Sequence, residues 1–435
     1  MPTITGPFYA ESLIVERQLD GAFNPYMLSL LMLSALAWLL ALPIATMLLW
    51  FTAEVVAGLR PLLICQVTAL TPRTTVLIPA HNEAFGIAGT VRPLAGADPA
   101  ISILVVADNC TDATAQVAQD AGAEVIERQD DLHRGKGFAL AFGRDHLARH
   151  AADDQPDVVV VLDADCRTDI ASIQLLAQEA FRRGAPMQAR NLIVEDAALT
   201  NGTATERASP ITQLSNFAML VKNLVRARGL QRLGGGIPLF GTGMAFPWPI
   251  FARAQLATDH LVEDMQLALD LARDGVRVAL LEQARIESAP APDSAIAAQR
   301  GRWERGFLGT ALSQGLPMLL RGIITGSRHR TALGMHLMVP PLALLLMLGM
   351  LTLGVVTLLG LFGQDWLPAL TLGAVLIVAL TAVGLAWMLE GRATLTPRAA
   401  MEAPLYILWK IPLYLGFLRK DRRGWTRTRR AGEND

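Results

Sequence analysis

The sequence predicts an α/β domain, Rossmann-like with a mostly parallel sheet, flanked by membrane-spanning helices. Of its 435 residues, 52% are hydrophobic and only 18% are charged, whereas charged residues make up about a quarter of a soluble domain. Residues 72 to about 290 differ from the rest, because short β-rich runs alternate there with helical patterns. That alternation is typical of parallel βαβ units with helices on both faces of the sheet.

Three stretches without Asp, Glu, Lys or Arg are each long enough to cross a bilayer, which takes about 20 apolar residues. They run over 21–53, 331–364 and 366–389. A buried helix of a large soluble core is the alternative, but three such runs in one chain disfavour it. We predict spans at about 26–51, 333–362 and 367–389, with kinks at Pro43 and at the pair Pro340 and Pro341.

A fourth apolar segment, 402–418, contains Lys410, and a lysine at the bilayer centre costs about 2.5–3.5 kcal/mol. We predict an interfacial or re-entrant helix here, so that about three spans are accompanied by amphipathic interfacial helices. Basic residues after the first span and in the tail place the middle of the chain and the C-terminus in the cytosol. Only four of the 38 basic residues are lysines, which indicates a GC-rich bacterial genome and hence the inner membrane.

The predicted organisation has five parts. They are an N-terminal segment with the first span (1–71), a cytosolic α/β domain (72–293), a segment ending in an interfacial helix (294–330), two spans (331–390), and an interfacial or re-entrant helix with a basic tail (391–435). The first span is not a cleaved signal peptide, because it starts late and lacks a basic segment before it.

Charge and cysteine content exclude other classes of protein. The 38 basic and 39 acidic residues give a net charge of -1, which argues against a nucleic-acid binder. The three cysteines are odd in number and form no C-x-x-C, so neither a disulfide framework nor a zinc cluster is predicted. A reduced compartment facing the cytosol fits this cysteine content.

Polar residues follow three predicted strands at the points where the strands end. Pro79, His81 and Glu83 follow the strand at 75–79, Asp108 to Asp112 follow 101–107, and Asp163 and Asp165 follow 157–162. Ligands bind beyond the carboxyl ends of strands in open α/β sheets, so these groups are expected to converge. The alternative is that such residues only cap the next helix, which applies most to Thr111 and Asp112.

Asp163 and Asp165 indicate a metal site. Two carboxylates two residues apart at a strand end repel each other unless a cation lies between them. Oxygen ligands favour Mg²⁺ or Mn²⁺, which keep bound waters and bind substrate phosphates.

Other candidates are spread along the domain. Lys136 lies between glycines at a predicted helix start, which suits a phosphate or a base, although a simple turn explains it equally well. The glycines at 234–236 and 241–243 permit close approach to a ligand or form a flexible surface loop. Glu263 and Asp264 open a helical pattern, where one carboxylate can favour the helix dipole and leave the other as a general base.

The segment Q-R-G-R-W at 299–303 begins an amphipathic stretch before the second span. Arg302 can bind a diphosphate through its guanidinium group. Trp303 can stack on a sugar or anchor the chain at the membrane interface.

In order along the chain, the motifs P-A-H-N-E, D-N-x-T-D, R-G-K-G, D-A-D, E-D and Q-R-G-R-W resemble those of the membrane-bound members of glycosyltransferase family 2, over roughly residues 72–310. The resemblance implies a GT-A fold and an inverting, metal-dependent transfer from a nucleotide-diphosphate sugar, usually a UDP-sugar. Two departures stand out: His81 replaces a frequent Tyr, and Val262 precedes E-D where Thr is common in cellulose synthases. The second departure argues against a cellulose product.

The same resemblance implies residue roles. It implies that the donor nucleotide is bound by Pro79, His81, Glu83, Asp108, Lys136 and Asp163, with Glu83 and Asp108 at the uridine. It implies that Asp165 and Asp163 bind the Mg²⁺ or Mn²⁺ ion. Asp264, beside Glu263, is implied to be the catalytic base. The residues implied to bind the diphosphate and the acceptor are Gln299, Arg302, Trp303, Gly241 and Thr242.

The predicted protein is a hexosyltransferase-type enzyme of exopolysaccharide or glycolipid biosynthesis. Its expected partners are a nucleotide-sugar donor, a lipid-linked or glycan acceptor and membrane lipid, with a homo-oligomer or polysaccharide-assembly partners left open. A processive synthase that extrudes its polymer is the alternative, although such synthases typically have more than three spans. A membrane-anchored nucleotide-sugar sensor is the non-enzymatic alternative, and it would bind nucleotide without turnover. A transporter is disfavoured, because its spans should contain charged residues.

Overall fold

The computed structural model describes residues 25–63, 70–193, 208–258, 260, 262–288 and 293–418. The chain divides into two compact units, Met1–Leu49 with Leu342–Thr381 and Trp50–Pro341 with Ala382–Asp435. The second unit contains the α/β domain.

Within the described residues, eight strands form one mixed sheet in the order β3-β2-β1-β4-β7-β6-β8-β5. The strands are β1 (Thr74–Ala80), β2 (Ile101–Asp108), β3 (Glu124–Arg128), β4 (Val158–Val161), β5 (Cys166–Arg167), β6 (Met187–Ile193), β7 (Met244–Pro247) and β8 (Ala279–Ser288). Strands β1 to β4 are parallel to one another, and β6 is parallel to β8. The antiparallel strand β7 joins these two parallel groups, because it pairs with both β4 and β6.

The valines of β4 show why this strand lies at the centre of the sheet. Successive side chains of a strand point to opposite faces, and β-branched residues suit a pleated surface. Val159 and Val161 belong to one buried cluster, and Val158 and Val160 belong to another. Because both faces of β4 are covered, the strand consists of valines alone.

The helices of the α/β domain cover these two faces. They are α2 (Ile87–Val91), α3 (Thr114–Asp120), α4 (Lys136–Ala148), α5 (Ile170–Arg183), α6 (Pro210–Leu220), α7 (Ala227–Arg232), α8 (Trp248–Phe251) and α9 (Glu263–Arg273), with a π-helical turn at Val221–Arg226 between α6 and α7.

Two helices show how local signals set their ends. Helix α5 has the same bounds as the helical pattern that the sequence shows at 170–183, because the Asp169 side chain accepts a hydrogen bond from Ser172 N at 2.6 Å and Gly184 has φ +58°. Helix α2 spans only Ile87–Val91 and is shorter than the predicted 84–95. Gly86 precedes it and Pro93 follows it closely, and neither residue favours a longer helix.

Four helical segments among the described residues are long and apolar enough to cross a membrane. They are Tyr26–Gly58, Arg300–Ile324, Leu342–Gly363 and Leu367–Gly391, with mean hydropathies of 2.2, 1.2, 2.6 and 2.4. The first, third and fourth contain the helices α1 (Pro25–Gly58), α13 (Leu342–Gly363) and α14 (Leu367–Ala386), and they match the three predicted spans. The segment Arg300–Ile324 is the least apolar and contains the predicted interfacial helix.

That segment is built from α10 (Asp293–Thr310), a π-helical turn (Ala311–Gly315) and α11 (Leu316–Ile324), and it precedes α12 (Arg328–Met338). Helices α11 and α12 pack closely, since a Cβ on Gly334 would lie 2.4 Å from the backbone nitrogen of Leu319.

Pro43 and the pair Pro340 and Pro341 act differently on their helices. Pro43 lies inside the continuous helix α1. Pro340 and Pro341 instead separate α12 from α13, so the helix predicted to begin at 333 begins at Leu342. Two successive prolines provide no N–H groups, and the ladder of helical hydrogen bonds therefore stops there.

The segment predicted as an interfacial or re-entrant helix forms α16 (Ala403–Trp409) and α17 (Ile411–Leu418), after the short α15 (Pro397–Ala400). Lys410 lies at the junction and is only 2% exposed. Its ammonium group donates a hydrogen bond to the Glu304 carboxylate of α10. This ion pair explains how a lysine is accommodated within an apolar segment.

Candidate active site

A cavity of about 800 Å³ lies at the carboxyl ends of β1 and β4, which are parallel neighbours. Its lining includes most of the residues that the sequence singled out: Pro79, Glu83, Lys136, Asp163, Asp165, Gly241, Thr242, Glu263, Asp264, Arg302 and Trp303. The predicted convergence is therefore observed for the groups after β1 and β4, whereas none of the residues 108–112, which follow β2, lines this cavity. The side chain of Gln299 lies outside the described residues.

Lys136 connects three parts of this cavity. It is the first residue of α4, and its ammonium group donates to the Asp163 carboxylate and, at 2.6 Å, to the carbonyl oxygen of Gly241. Burial alone would lower the pKa of Lys136, but the charge of Asp163, followed by that of Glu263, raises it above its ordinary value. The lysine is therefore a permanent cation among carboxylates.

The loop at 240–243 has a backbone that only a glycine supports well. Gly241 has φ +84°, and a Cβ there would lie 3.4 Å from Asp264 Oδ2 and 3.6 Å from Lys136 Nζ. Thr242 Oγ1 accepts a hydrogen bond from Asp163 N at 3.0 Å. This hydroxyl therefore holds the end of β4 in place in addition to lining the cavity. The buried amide of Gln188 donates to Thr242 O at 2.8 Å and fixes the loop from behind.

Asp163 and Asp165 could hold a divalent cation. One ligand atom from each of them and the thiol sulfur of Cys166 all lie within 4.8 Å of one another. Burial raises the pKa of the Cys166 thiol, and the charges of Asp165 and Asp163 raise it further, which makes the sulfur a weaker candidate ligand than the two carboxylates. The remaining donors are carboxylate oxygens, which fit Mg²⁺ or Mn²⁺ rather than a softer ion.

Glu263 and Asp264 begin α9 and line the same cavity. Burial, followed by the negative charge of Asp264, raises the pKa of Glu263 to about 7. Burial also raises the pKa of Asp264, although the charge of Lys136 opposes it. A carboxylate with a raised pKa accepts a proton more readily, which is what a general base requires.

The Q-R-G-R-W segment contributes to the cavity and to its support. Arg302 and Trp303 line the cavity, which favours a contact with substrate for Trp303 over a purely membrane-anchoring position. Arg300 is 8% exposed and donates to Ser215 O and Asn216 Oδ1, both at 2.7 Å. The second arginine of the motif therefore faces the cavity, while the first holds α10 against α6.

His81 and Asp108 do not belong to the cavity lining. His81 Nδ1 donates to the carbonyl oxygen of Asp108 at 2.7 Å. The Asp108 carboxylate accepts from Arg128 at 2.6 Å and is 8% exposed. The structure thus pairs Asp108, to which the resemblance implies a uridine contact, with the guanidinium group of Arg128 outside the cavity lining.

Asp112 is a cap, as one of the two readings of the sequence had it. Its carboxylate accepts from Thr114 N at 3.0 Å at the start of α3 and from Ala84 N at 3.2 Å. The loops after β1 and β2 are further joined by Thr111 N, which donates to Asn82 Oδ1 at 2.7 Å. These hydrogen bonds hold the loop that contains Glu83 in place. Asp112 and Thr111 therefore support this loop rather than contact a ligand.

The glycines at 234–236 were expected either to approach a ligand or to form a flexible surface loop, and both expectations are wrong. Gly235 and Gly236 are buried. A Cβ on Gly236 would lie 2.5 Å from the His329 ring, whose Nδ1 accepts from Gly236 N at 2.7 Å. The missing side chains make room for α12 and not for a substrate.

Sequence reasoning missed part of the cavity wall. This part is formed by Asn191 at the end of β6, Lys222 and Asn223 in the π-helical turn, and Ser288 at the end of β8. A lysine within the apolar run 217–225 was the one available signal. The asparagines and the serine belong to no recognisable motif.

Two family models match this chain. The model described as glycosyl transferase family group 2 matches residues 158–389, which is more than half of the chain, and the model described as glycosyl transferase family 2 matches residues 75–210. Together they cover the cavity-lining elements. The fold and the site define a nucleotide-sugar-dependent type of glycosyltransferase domain, and the chain belongs to glycosyl transferase family group 2.

Individual relatives agree with this assignment. The chain is 35% identical over 97 residues to protein RfbJ of Shigella flexneri, a match that covers 22% of this chain and 67% of RfbJ. Its fold is similar to that of the mannosyltransferase PcManGT from Pyrobaculum calidifontis in complex with GDP-Man and Mn²⁺, with a TM-score of 0.50 and 16% identity over 89% of this chain and 100% of that one. The predicted GT-A fold is thereby confirmed.

Proposed function

We propose that this protein is an inverting, metal-dependent membrane glycosyltransferase of the hexosyltransferase type. It transfers a sugar from a nucleotide-diphosphate sugar, with a UDP-sugar favoured by the family resemblance, to a lipid-linked or glycan acceptor in exopolysaccharide or glycolipid biosynthesis. The observation that carries the proposal is the shared cavity of Asp163, Asp165, Lys136 and Asp264. It joins two potential metal ligands, one cation and one separate potential base.

The donor end of the cavity lies around Asp163. Asp165 and Asp163 would hold Mg²⁺ or Mn²⁺ against the diphosphate, and PcManGT, the structural neighbour, contains GDP-Man and Mn²⁺. The bound ion supplies positive charge that stabilises the departing diphosphate. Lys136 and Arg302 add cationic groups on this chain for the same leaving group.

The transfer forms one bond and breaks one. The acceptor hydroxyl oxygen bonds to the anomeric carbon of the donor sugar, while the bond from that carbon to the diphosphate oxygen breaks. The nucleoside diphosphate leaves with the electron pair of the broken bond. Asp264 takes the hydroxyl proton, and the configuration at the anomeric carbon inverts because the attack comes from the face opposite the leaving group.

Asp264 rather than Glu263 is assigned as the base because of its position. Asp264 Oδ2 lies beside Gly241, in the loop whose carbonyl group holds Lys136. A base at this point is separated from Asp163 by the lysine, so the donor end and the proton acceptor remain distinct. Glu263 raises the proton affinity of the pair as a neighbouring negative charge.

The membrane helices suggest the location. Candidate spans precede and follow the catalytic domain, which fits an enzyme held at the inner face of a bacterial cytoplasmic membrane with its domain and tail in the cytosol. In that position the cavity would meet a water-soluble nucleotide sugar and an acceptor anchored in lipid.

A panel of donors tests the proposal. Purified protein in proteoliposomes is incubated with UDP-, GDP-, ADP- and dTDP-sugars, with Mn²⁺ or with EDTA, and released nucleoside diphosphate and product length are measured. Metal-dependent release with at least one donor is expected, together with short products. Nucleotide binding without any release would favour the sensor, and a long polymer from each active molecule would favour the processive synthase.

A further inference from the structure

The π-helical turn Val221–Arg226 brings two adjacent polar residues, Lys222 and Asn223, to the cavity wall. Such turns are rare and are often found at functional sites. Both residues lie between helices α6 and α7, and both contribute polar side chains to the cavity lining. The hydrogen-bonding state of their polar atoms indicates what they do there.

Asn223 has an unused hydrogen-bond acceptor. The residue is 2% exposed, and its Nδ2 donates only a long bond of 3.4 Å to Asn191 O. Its Oδ1 has no hydrogen-bond partner in the part of the chain that the structure describes. Buried carbonyl oxygens nearly always have a donor, so this atom is expected to accept a bond from something that enters the cavity.

Lys222 is a cation with a similar lack of partners. Within the described ranges its ammonium group forms no hydrogen bond or ion pair and lies 6.0 Å from the centre of the Phe307 ring. Burial lowers the pKa of Lys222, and the nearby charge of Asp264 partly offsets this effect. The lysine therefore faces the proposed base from within the same cavity.

Charged side chains in the cavity act on one another. Asp163 is paired with Lys136, and the charges of both Lys136 and Lys222 act on Asp264. Because the base must reach the hydroxyl that reacts, the acceptor is expected beside Asp264. Lys222 is close enough for its charge to act on Asp264, and Asn223 follows it in the same turn of the cavity wall.

We propose that Asn223 and Lys222 form a subsite for the sugar ring of the acceptor, each binding a hydroxyl group next to the one that reacts. This inference rests on the proposed function and specifies its acceptor end. Asn223 Oδ1 accepts a hydrogen bond from one hydroxyl, and Lys222 Nζ donates to the oxygen of another. Neither residue exchanges a proton or forms a bond in the transfer itself, so both are binding residues.

The surroundings of the two residues fit a sugar. Asn191 and Ser288 add neutral amide and hydroxyl groups to the same wall, and Ser288 Oγ donates to Asn191 Oδ1 at 3.4 Å. Trp303 and Phe307 supply aromatic surface in the same lining, on which the apolar face of a sugar ring packs. An array of neutral polar groups with one cation and two rings suits a hydroxyl-rich ring better than a phosphate.

The test uses four probe acceptors, the n-octyl glycosides of glucose, galactose, mannose and N-acetylglucosamine, with a donor that the wild-type protein hydrolyses. For an accepted probe, Asn223→Ala and Lys222→Met are each expected to raise the acceptor KM about three- to tenfold and to change the nucleotide Kd by less than about twofold. Release of nucleotide in the absence of acceptor should be retained in both variants. Lys222 is half-buried, so its variant is informative even if Asn223→Ala does not fold.

A matched control is Gln213→Ala, which removes a buried amide from the preceding helix without touching the cavity. Gln213 is 7% exposed and accepts from Thr396 N at 3.1 Å. Its acceptor KM should match the wild type, and Asn223→Asp, which keeps an acceptor oxygen, should stay within about threefold of it.

Three results would overturn the inference while leaving the proposed function intact. One is an equal loss of nucleotide affinity and acceptor affinity in Asn223→Ala, which would place Asn223 at the donor. Another is an unchanged acceptor KM in both variants. The third is donor hydrolysis with no transfer to any octyl glycoside, above all if farnesyl phosphate is accepted instead. Absence of donor turnover in the wild type would contradict the proposed function itself.

Discussion

Lys136 Nζ donates a hydrogen bond to Asp163 Oδ1, and this contact joins the first residue of α4 to the residue that follows β4. The two positions are 27 residues apart and belong to motifs that carry little information singly. Their contact brings the cation and the D-A-D carboxylates to one cavity, where they can act on the same ligand.

Replacing Asp165 by Asn tests the metal site. The substitution keeps the shape but removes one negative charge from the pair that could hold Mn²⁺, so the affinity for a nucleoside diphosphate in the presence of Mn²⁺ should fall about tenfold or more. Isothermal titration with UDP and GDP, each with Mn²⁺ or with EDTA, measures this. Asp169→Asn is the control, because Asp169 caps α5 outside the cavity. Unchanged metal-dependent affinity in Asp165→Asn would refute the metal role.

The two carboxyl groups at the start of α9, Glu263 and Asp264, predict how activity depends on pH. The pKa of Glu263 is raised to about 7, so the pair holds a proton below that pH and the base is fully available only above it. The value of kcat/KM should therefore rise about tenfold per pH unit below 7 and level off above it. Glu263→Gln should move this limb toward acid, because it removes one of two carboxylates that share a site.

The raised pKa of Glu263 affects the stability of the fold in the opposite direction from activity. The folded protein retains a proton that the unfolded chain loses near the ordinary glutamate pKa of 4.5, so the contribution of Glu263 to stability is lost as the pH rises from there to about 7. Activity and this contribution therefore change in opposite directions over the same interval. A kcat/KM that stays flat between about pH 5.5 and 8 would contradict the assignment of the pair.

The ion pair between Lys410 and Glu304 predicts an effect on stability. Lys410→Met leaves the Glu304 carboxylate, which is 18% exposed, without its partner and should cost about 3 kcal/mol. The double variant Lys410→Met with Glu304→Gln should recover part of this loss, as a coupled pair does. Thermal unfolding in detergent micelles measures both.

Arg305→Met is the matched control for that experiment. Arg305 is exposed on α10, one residue after Glu304, so its removal should change stability by less than about 0.5 kcal/mol. Equal destabilisation in Lys410→Met and Arg305→Met would show that the buried pair has no special role.

The elements that the sequence predicted well are those with local signals. The four valines of β4 require burial on both faces, and Asp169 and Gly184 mark the ends of α5. The polar residues after β1 and β4 were predictable for a similar reason, since parallel neighbours bring their carboxyl ends to the same edge.

The elements that escaped prediction depend on contacts between distant parts of the chain. Strand β7 pairs antiparallel with β4 although its residues follow β4 by more than 80 positions, and no local pattern states that pairing. Gln188, which fixes the loop at Gly241, is an ordinary strand residue in the sequence. Asn223 gains its significance only from an unpaired oxygen that the packing of the domain creates.

Buried charge near the first candidate span was missed for the same reason. The sequence ends its charge-free run at Ala53, and Glu54 follows directly. Glu54 is fully buried, accepts from Arg226 at 2.6 Å and contacts His336 Nδ1 at 2.8 Å. Partners 172 and 282 residues away neutralise a carboxylate that hydropathy alone would place at the end of a helix.

The most direct test of Asp264 as the catalytic base is the rate of sugar transfer by Asp264→Asn, measured beside the wild type in the same proteoliposomes with Mn²⁺ and the active donor. If Asp264 accepts the proton of the acceptor hydroxyl, transfer should fall at least about a hundredfold while the nucleotide Kd stays within about threefold. Transfer at close to the wild-type rate, or a loss explained entirely by weaker nucleotide binding, would contradict this assignment.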